Sequence, residues 1–114
     1  MNKFDKKVVF YQEVMQKMGL ECNIELLEKV TKGLGPSIFK RDAESVSMTE
    51  PMELNTVKQN FLINKLGLED SEKLDEAIQK VGAQMGTTNR VKYRAIFYYL
   101  LVKVFKMESK ILNG

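Results

Sequence analysis

Near its C-terminal end the chain carries eight consecutive apolar or aromatic residues, from Ala95 to Val102. On a helix this run leaves almost no polar face, since its side chains point in every direction within about two turns. A helix that is apolar all round in a soluble protein is covered by its neighbours or by a partner. The run is also much shorter than the ~20 residues that cross a bilayer. We therefore predict a central, largely buried C-terminal helix and no membrane segment.

Apolar residues recur at helical spacing through most of the chain, and no segment shows the strict alternation of a strand. Glycines and capping residues separate the helical stretches. The predicted helices are helix one from about Lys3 to Met18, helix two from the cap Asn23 to Leu34, helix three from Thr49 or Pro51 to Leu66, helix four from an Asp70 or Ser71 cap to Met85, and helix five from a Thr88 or Asn89 cap to at least Phe105, with Ile111 as its furthest end.

Residues 36–50 are the least periodic part of the chain, and we expect Ile38, Phe39 and Val46 to hold them against the core. Four amphipathic helices around an apolar fifth one form a compact unit. The sequence thus predicts an all-α fold, a compact bundle of about five helices around a central, largely buried C-terminal helix.

The chain has 114 residues, of which 44% are hydrophobic, so one domain over residues 1–114 can bury a core. The N-terminal segment is charged and amphipathic and lacks the apolar stretch and cleavage site of a signal peptide. A single cysteine, Cys22, allows no internal disulfide. We therefore expect a soluble cytoplasmic protein.

Catalytic and metal-binding patterns are missing from the sequence. The chain contains no histidine, which excludes histidine-based triads and histidine metal sites. We interpret Cys22, which has no histidine base, as a small filler residue. The acidic run at residues 69–72 suits a helix start, and the glycines at residues 33–37 suit a helix stop followed by a turn. We predict no catalytic residue, metal or cofactor and favour a protein that is not an enzyme, although carboxylate, lysine or tyrosine chemistry stays open.

Three bases, Arg90, Lys92 and Arg94, stand where helix five is predicted to begin, although helix starts normally favour anions. Residues 42–76 carry nine acids against three bases, whereas residues 90–114 carry six bases against one acid. The preferred interpretation is internal: carboxylates such as Asp42 or Glu44 fold back and pair with the bases. In that arrangement Arg94 is half-buried.

Two other interpretations of the same segment place an external anion there. In the first, the amides at the helix start and the side chains of Asn89, Arg90, Lys92 and Arg94 bind a small phosphate or carboxylate ligand. In the second, the basic C-terminal region binds a nucleic-acid backbone. This is the least favoured of the three, because the net charge is only +3 and no nucleic-acid-binding motif is present.

Four blocks of the sequence, in this order, are similar to a known family. They are Gly33-Leu34-Gly35-Pro36-Ser37-Ile38; Asp42-Ala43-Glu44 with Val46-Ser47; Thr56-Val57-Lys58-Gln59-Asn60-Phe61-Leu62 with Lys65-Leu66-Gly67-Leu68; and Met85-Gly86-Thr87-Thr88-Asn89-Arg90 with Lys92-Tyr93-Arg94-Ala95-Ile96-Phe97-Tyr98-Tyr99-Leu100-Leu101. The chain resembles the small bacterial family known as domain of unknown function 2853. The resemblance implies a small, bacterial, mostly helical single-domain protein. It implies no activity and no site residue.

The preferred functional hypothesis is a non-enzymatic cytoplasmic interaction module with a protein partner or a second copy of itself. It depends on the missing catalytic constellation and on an apolar helix five that is large for four short helices to cover. The alternatives are the anion or phosphate-ligand binding protein and the weak nucleic-acid backbone binder described above.

Overall fold

The computed structural model describes residues 2–86 and 91–113, and within these ranges the fold is all-α, as predicted. The described α-helices are α1 (Lys3–Lys17), α2 (Ile24–Leu34), α3 (Pro51–Thr56), α4 (Glu72–Gln84), α5 (Arg94–Val104) and α6 (Glu108–Leu112). A 3₁₀ segment, Gly35–Phe39, follows α2, and a π-helical segment, Val57–Lys65, continues α3 without a break.

Local signals in the sequence explain where α2 begins and ends. The Asn23 side chain accepts a hydrogen bond of 3.2 Å from the backbone N–H of Leu26, which confirms it as the N-cap. The helix ends at Gly35, whose φ of 63° lies in the region that glycine adopts most easily. Pro36 then has no N–H with which to extend the helix.

α5 lies at the centre of the molecule. Every residue from Arg94 to Val102 is buried, and α5 packs against α2, α4 and α1. The side chains of Ile96, Phe97 and Leu101 have no exposed surface. Burying such side chains is worth about 1.5–3 kcal/mol each, so this helix is the main contributor to the core. The predicted central C-terminal helix is confirmed, and the rest of the chain covers it.

The start of α5 differs from the prediction. Its predicted caps, Thr88 and Asn89, lie outside the described residues. α5 begins at Arg94, and Lys92 and Tyr93, which precede it, are not helical. Their backbone pairs instead with residues 44–46. The N–H of Val46 donates to the carbonyl of Lys92 (2.8 Å), and the N–H of Arg94 donates to the carbonyl of residue 44 (2.7 Å).

The end of α5 also differs, because the helix stops at Val104, before both predicted ends. Lys106 has a positive φ of 54°, which breaks the helical path, and the N–H of Met107 turns back to the carbonyl of Val102 (3.0 Å). The short helix α6 follows and packs on α2 through the buried Ile111.

Helix three was predicted as one regular helix, and most of it is π-helical. Val57, Phe61 and Leu62 are the buried residues of the π-helical segment, and the buried Leu66 follows directly after it. The i→i+5 hydrogen bonds of a π-helix widen each turn, so residues five apart share a face. The buried positions 57, 61, 62 and 66 include pairs four apart and pairs five apart, so their spacing in the sequence does not distinguish a π-helix from an α-helix.

Residues 36–50, which include most of the 3₁₀ turn, are held in place by fewer apolar residues than expected. Ile38 and Val46 are buried as predicted, but Phe39 is 49% exposed, because it is the last residue of the 3₁₀ turn and faces away from the core. Across residues 2–86 and 91–113, no helix has the length and apolar character needed to span a membrane.

Candidate functional site

The first cationic region of the structure centres on Arg94, in the first turn of α5. Its side chain is only 9% exposed. Nε donates to the carbonyl of Ala43 (2.8 Å), Nη1 donates to the hydroxyl of Tyr98 (3.0 Å), and Nη2 donates to the carbonyl of Ser45 (3.2 Å). Nη2 also forms an ion pair with the carboxylate of Glu53. All three guanidinium nitrogens are therefore engaged within the chain.

The electrostatics of this cluster keep Arg94 charged and Tyr98 neutral. Burial disfavours the guanidinium charge, but Tyr98 and Glu53 outweigh it and raise the pKa of Arg94. Burial raises the pKa of the Tyr98 phenol, against the opposing effect of the Arg94 charge. The cluster thus ties the start of α5 to α3 and to residues 43–45 and leaves little of the guanidinium for a ligand.

The internal pairing preferred from the sequence is therefore what the structure shows for Arg94. The partner is Glu53, which lies in the acidic range 42–76, and not Asp42 or Glu44. Lys92 is half-buried, and Asn89 and Arg90 lie outside the described residues. The anion site at Asn89, Arg90, Lys92 and Arg94 stays a prediction.

Glu44 takes part in a second internal cluster. Its carboxylate accepts a hydrogen bond of 2.6 Å from the hydroxyl of Tyr11 and pairs with the ammonium of Lys7 at 2.7 Å. Burial, together with the Glu44 carboxylate, raises the pKa of the Tyr11 phenol. This cluster joins α1 to residues 43–45, whose backbone carbonyls Arg94 also contacts.

A second cationic region surrounds a cavity of about 620 Å³. Four lysines line it, and they come from three elements: Lys29 and Lys32 from α2, Lys65 from the end of the π segment and Lys110 from α6. Lys29 and Lys32 are three residues apart and therefore share a face of α2. All four side chains are exposed.

These four lysines have no ionic partner within the described ranges 2–86 and 91–113, where no carboxylate lines the cavity either. Three of them, at positions 32, 65 and 110, lie in the last turn of their helix, where a cation complements the helix dipole. Three helix ends together supply about −1.5 elementary charges at most. An excess of at least about 2.5 positive charges therefore remains around the cavity.

The inner wall of the cavity is apolar. Val30, Leu34, Phe61, Tyr98 and Ile111 form it; Leu34 is half-buried and the other four are buried. The rings of Phe61 and Tyr98 are stacked with their centroids 4.1 Å apart. The amide of Asn60 lies exposed at the cavity edge. The arrangement suits a ligand that has both an anionic part and an apolar part.

Sequence reasoning missed this cavity. Its lysines are distributed over more than 80 positions, from Lys29 to Lys110, and no cluster of basic residues marks them. Of the basic residues that the structure describes in the C-terminal region, only Lys110 lines it. The i, i+3 spacing of Lys29 and Lys32 was the available signal, but the convergence of the three elements needed the fold.

Lys58 and two acidic residues near the start of α4 also have structural partners. Lys58 pairs with Asp70 at 2.9 Å and with Asp75 at 3.0 Å, so the acidic residues at the start of α4 serve an internal contact. Burial raises the pKa of the half-buried Cys22 thiol, as expected for a filler residue and not for a nucleophile. In the described part of the chain, no group of three or more cysteine, aspartate or glutamate side chains is placed to hold a metal ion.

The chain belongs to the family described as Protein of unknown function (DUF2853), whose family model matches residues 9–109. This match confirms the resemblance stated from the four sequence blocks. No curated protein matches the chain. Because the family description assigns no activity, the function has to be argued from the sites themselves.

Proposed function

We propose that this chain is a non-enzymatic binding protein of the bacterial cytoplasm, formed as one domain over residues 1–114. Its cavity binds a small ligand that carries several negative charges. The observation that supports this proposal is the convergence of four lysines without ionic partners, from three elements, on one partly apolar cavity.

Converging cations create a positive potential that a bound anion relieves. Each exposed ammonium–phosphate contact is worth on the order of 1 kcal/mol or less, because water and salt screen it. Several such contacts at the mouth of a partly apolar cavity add up to useful affinity. Lysine suits this role because its ammonium group contacts phosphate oxygens as a point charge, without the planar geometry that arginine requires.

This proposal moves the anion-ligand hypothesis from Asn89–Arg94 to the cavity. At the earlier location the buried Arg94 has internal partners, whereas the cavity lysines are exposed and lack them in the ranges the structure describes. The interaction-module hypothesis depended on an incompletely covered helix five, and α5 is covered by the chain itself. A protein partner or a second copy of the chain stays a proposal, which sedimentation at several concentrations would test.

Inorganic pyrophosphate is the simplest probe of the proposed site. We expect it to bind the wild-type protein in isothermal titration calorimetry, with an affinity that falls as the salt concentration rises. The variant K29Q/K65Q removes two cavity charges and should weaken binding about tenfold. The control K6Q/K73Q removes two exposed lysines that do not line the cavity and should change binding by less than about twofold.

Two results would count against the proposal. One is that pyrophosphate does not bind the wild-type protein at low salt. The other is that the control variant weakens binding as much as K29Q/K65Q does, since binding would then follow net charge and not the cavity.

A further inference from the structure

We infer that the ligand of the lysine cavity is a nucleoside di- or triphosphate, with its phosphates on the lysines and its base against the apolar wall. This inference depends on the proposed function, because it names the ligand class of the same cavity. Three features of the cavity carry it: the amount of unmatched charge, the apolar wall beside an amide, and an open position on α2.

The charge favours more than one phosphate group. A single phosphate monoester carries about −1.5 to −2 charges at neutral pH, which is less than the excess of at least about 2.5 positive charges left after the helix dipoles. A diphosphate or triphosphate chain matches that excess and is long enough to contact lysines on different elements. The lysines at positions 29, 32, 65 and 110 belong to three such elements.

The inner wall favours a ligand with a flat apolar part. A purely inorganic polyphosphate would leave in contact with water the apolar surface that the half-buried Leu34 and the small exposed parts of Phe61 and Tyr98 present to the cavity. A nucleobase removes that surface from water, and every base has a face that packs on aromatic residues. Asn60, at the edge of the same wall, offers one hydrogen-bond acceptor and two donors to the base edge. Asparagine makes this type of contact with adenine.

The size and the open wall of the cavity fit such a molecule. A volume of about 620 Å³ is within the usual range of small-ligand sites. Gly33 lies on the cavity wall, and a Cβ atom built there has no neighbouring heavy atom within 4 Å. The ligand can therefore approach the backbone of α2 at this position. A Cβ atom at position 33 meets no protein atom, so a large side chain there adds bulk at the cavity wall.

The test compares a panel of ADP, GDP, CDP and UDP with pyrophosphate and with the corresponding nucleosides, all at one ionic strength and without added metal. We expect at least one nucleoside diphosphate to bind about tenfold more tightly than pyrophosphate, because the base adds contacts with the wall. We also expect the nucleosides alone to bind more weakly than the matching diphosphates.

Two variants locate the base and the phosphates separately. N60A should reduce the affinity for the preferred nucleotide and leave the affinity for pyrophosphate unchanged within about twofold. G33M should reduce the affinity for the nucleotide by about tenfold or more while the protein stays folded, as judged by circular dichroism and thermal melting. G33A is the matched control, because its single methyl group leaves most of the cavity open.

The outcomes separate this inference from the proposed function. If pyrophosphate binds as tightly as every nucleotide, the anion site stands and the nucleotide inference fails. If neither pyrophosphate nor any nucleotide binds, both fail. If nucleotides bind but the folded G33M variant retains full affinity, they bind elsewhere and the inference is overturned.

Discussion

The Arg94 cluster and the lysine cavity are both cationic, but they differ in burial and in partners. Arg94 is buried and has Glu53, Tyr98 and two backbone carbonyls around it. The four cavity lysines are exposed and have no ionic partner in the described part of the chain. In this molecule, the bases that are close together in sequence include Arg94, whose internal contacts stabilise the fold. The bases that are far apart in sequence line a surface cavity.

Physical chemistry explains the difference. A buried charge without a partner costs several kcal/mol, so a folded chain must supply one. An exposed lysine is solvated by water and needs no partner. Single exposed lysines are therefore uninformative, and it is their convergence from three elements on a partly apolar cavity that indicates a ligand.

The largest expected effect separates the two regions by stability. R94M removes a buried charge and leaves Glu53 and two backbone carbonyls without their donor, so the free energy of unfolding should fall by about 3 kcal/mol. The matched variant K32M at the cavity should change it by less than about 0.5 kcal/mol. Urea denaturation measures both changes. If R94M lowered the free energy of unfolding by less than about 1 kcal/mol, the contacts of Arg94 would not be important for stability.

The next effect is a loss of stability at alkaline pH. The pKa values of Tyr11 and Tyr98 are raised in the folded protein, whereas unfolded tyrosine has a pKa of about 10. Both phenols therefore stabilise the fold fully below that value, and this contribution is lost as the pH rises above it. The loss between pH 9 and 11 should be on the order of 1 kcal/mol for Tyr11, and Tyr98 adds to it in the same direction.

Denaturation curves across this pH range test the assignment to Tyr11. Y11F should lose less stability than the wild type between pH 9 and 11, while K29Q/K32Q, which changes only the cavity, should keep the same tyrosine-dependent loss. Equal pH dependence in Y11F and the wild type would contradict the raised pKa of Tyr11.

The smallest effect concerns the open position on the cavity wall. G33A should raise the free energy of unfolding by about 0.5–1 kcal/mol, because alanine favours the helix and the added methyl group meets nothing. G82A should raise the free energy of unfolding by less, because its Cβ atom would lie 2.5 Å from Cε of Met48 and would force that side chain to move. A loss of stability in G33A would show that position 33 is not open.

The helical class, the central α5 and the Asn23 cap could be predicted from the sequence, because they depend on local periodicity and local hydrogen bonds. The internal pairing of Arg94 could also be predicted, because a half-buried base requires a carboxylate. The carboxylate that pairs with Arg94 could not be predicted, because Glu53 on α3 and residues 43–45 meet Arg94 only in the folded chain.

The boundaries of α5 and the π segment were missed for a similar reason. Lys92 and Tyr93 have side chains compatible with a helix, but their backbone pairs with residues 44–46. The cavity was missed because no property of Lys29, Lys65 or Lys110 alone distinguishes it from other surface lysines. Tertiary packing decides all three features, and local patterns do not specify them.

The most direct test of the central claim is a titration of the ¹⁵N-labelled protein with pyrophosphate, followed by the chemical shifts of the backbone amides. We expect the saturable shifts to concentrate at residues 29–34, 60–65 and 110, around the lysine cavity, with little change at residues 43–46 and 92–94. Shifts concentrated at residues 43–46 and 92–94, or no saturable shift at all, would contradict the claim that the cavity is the anion site.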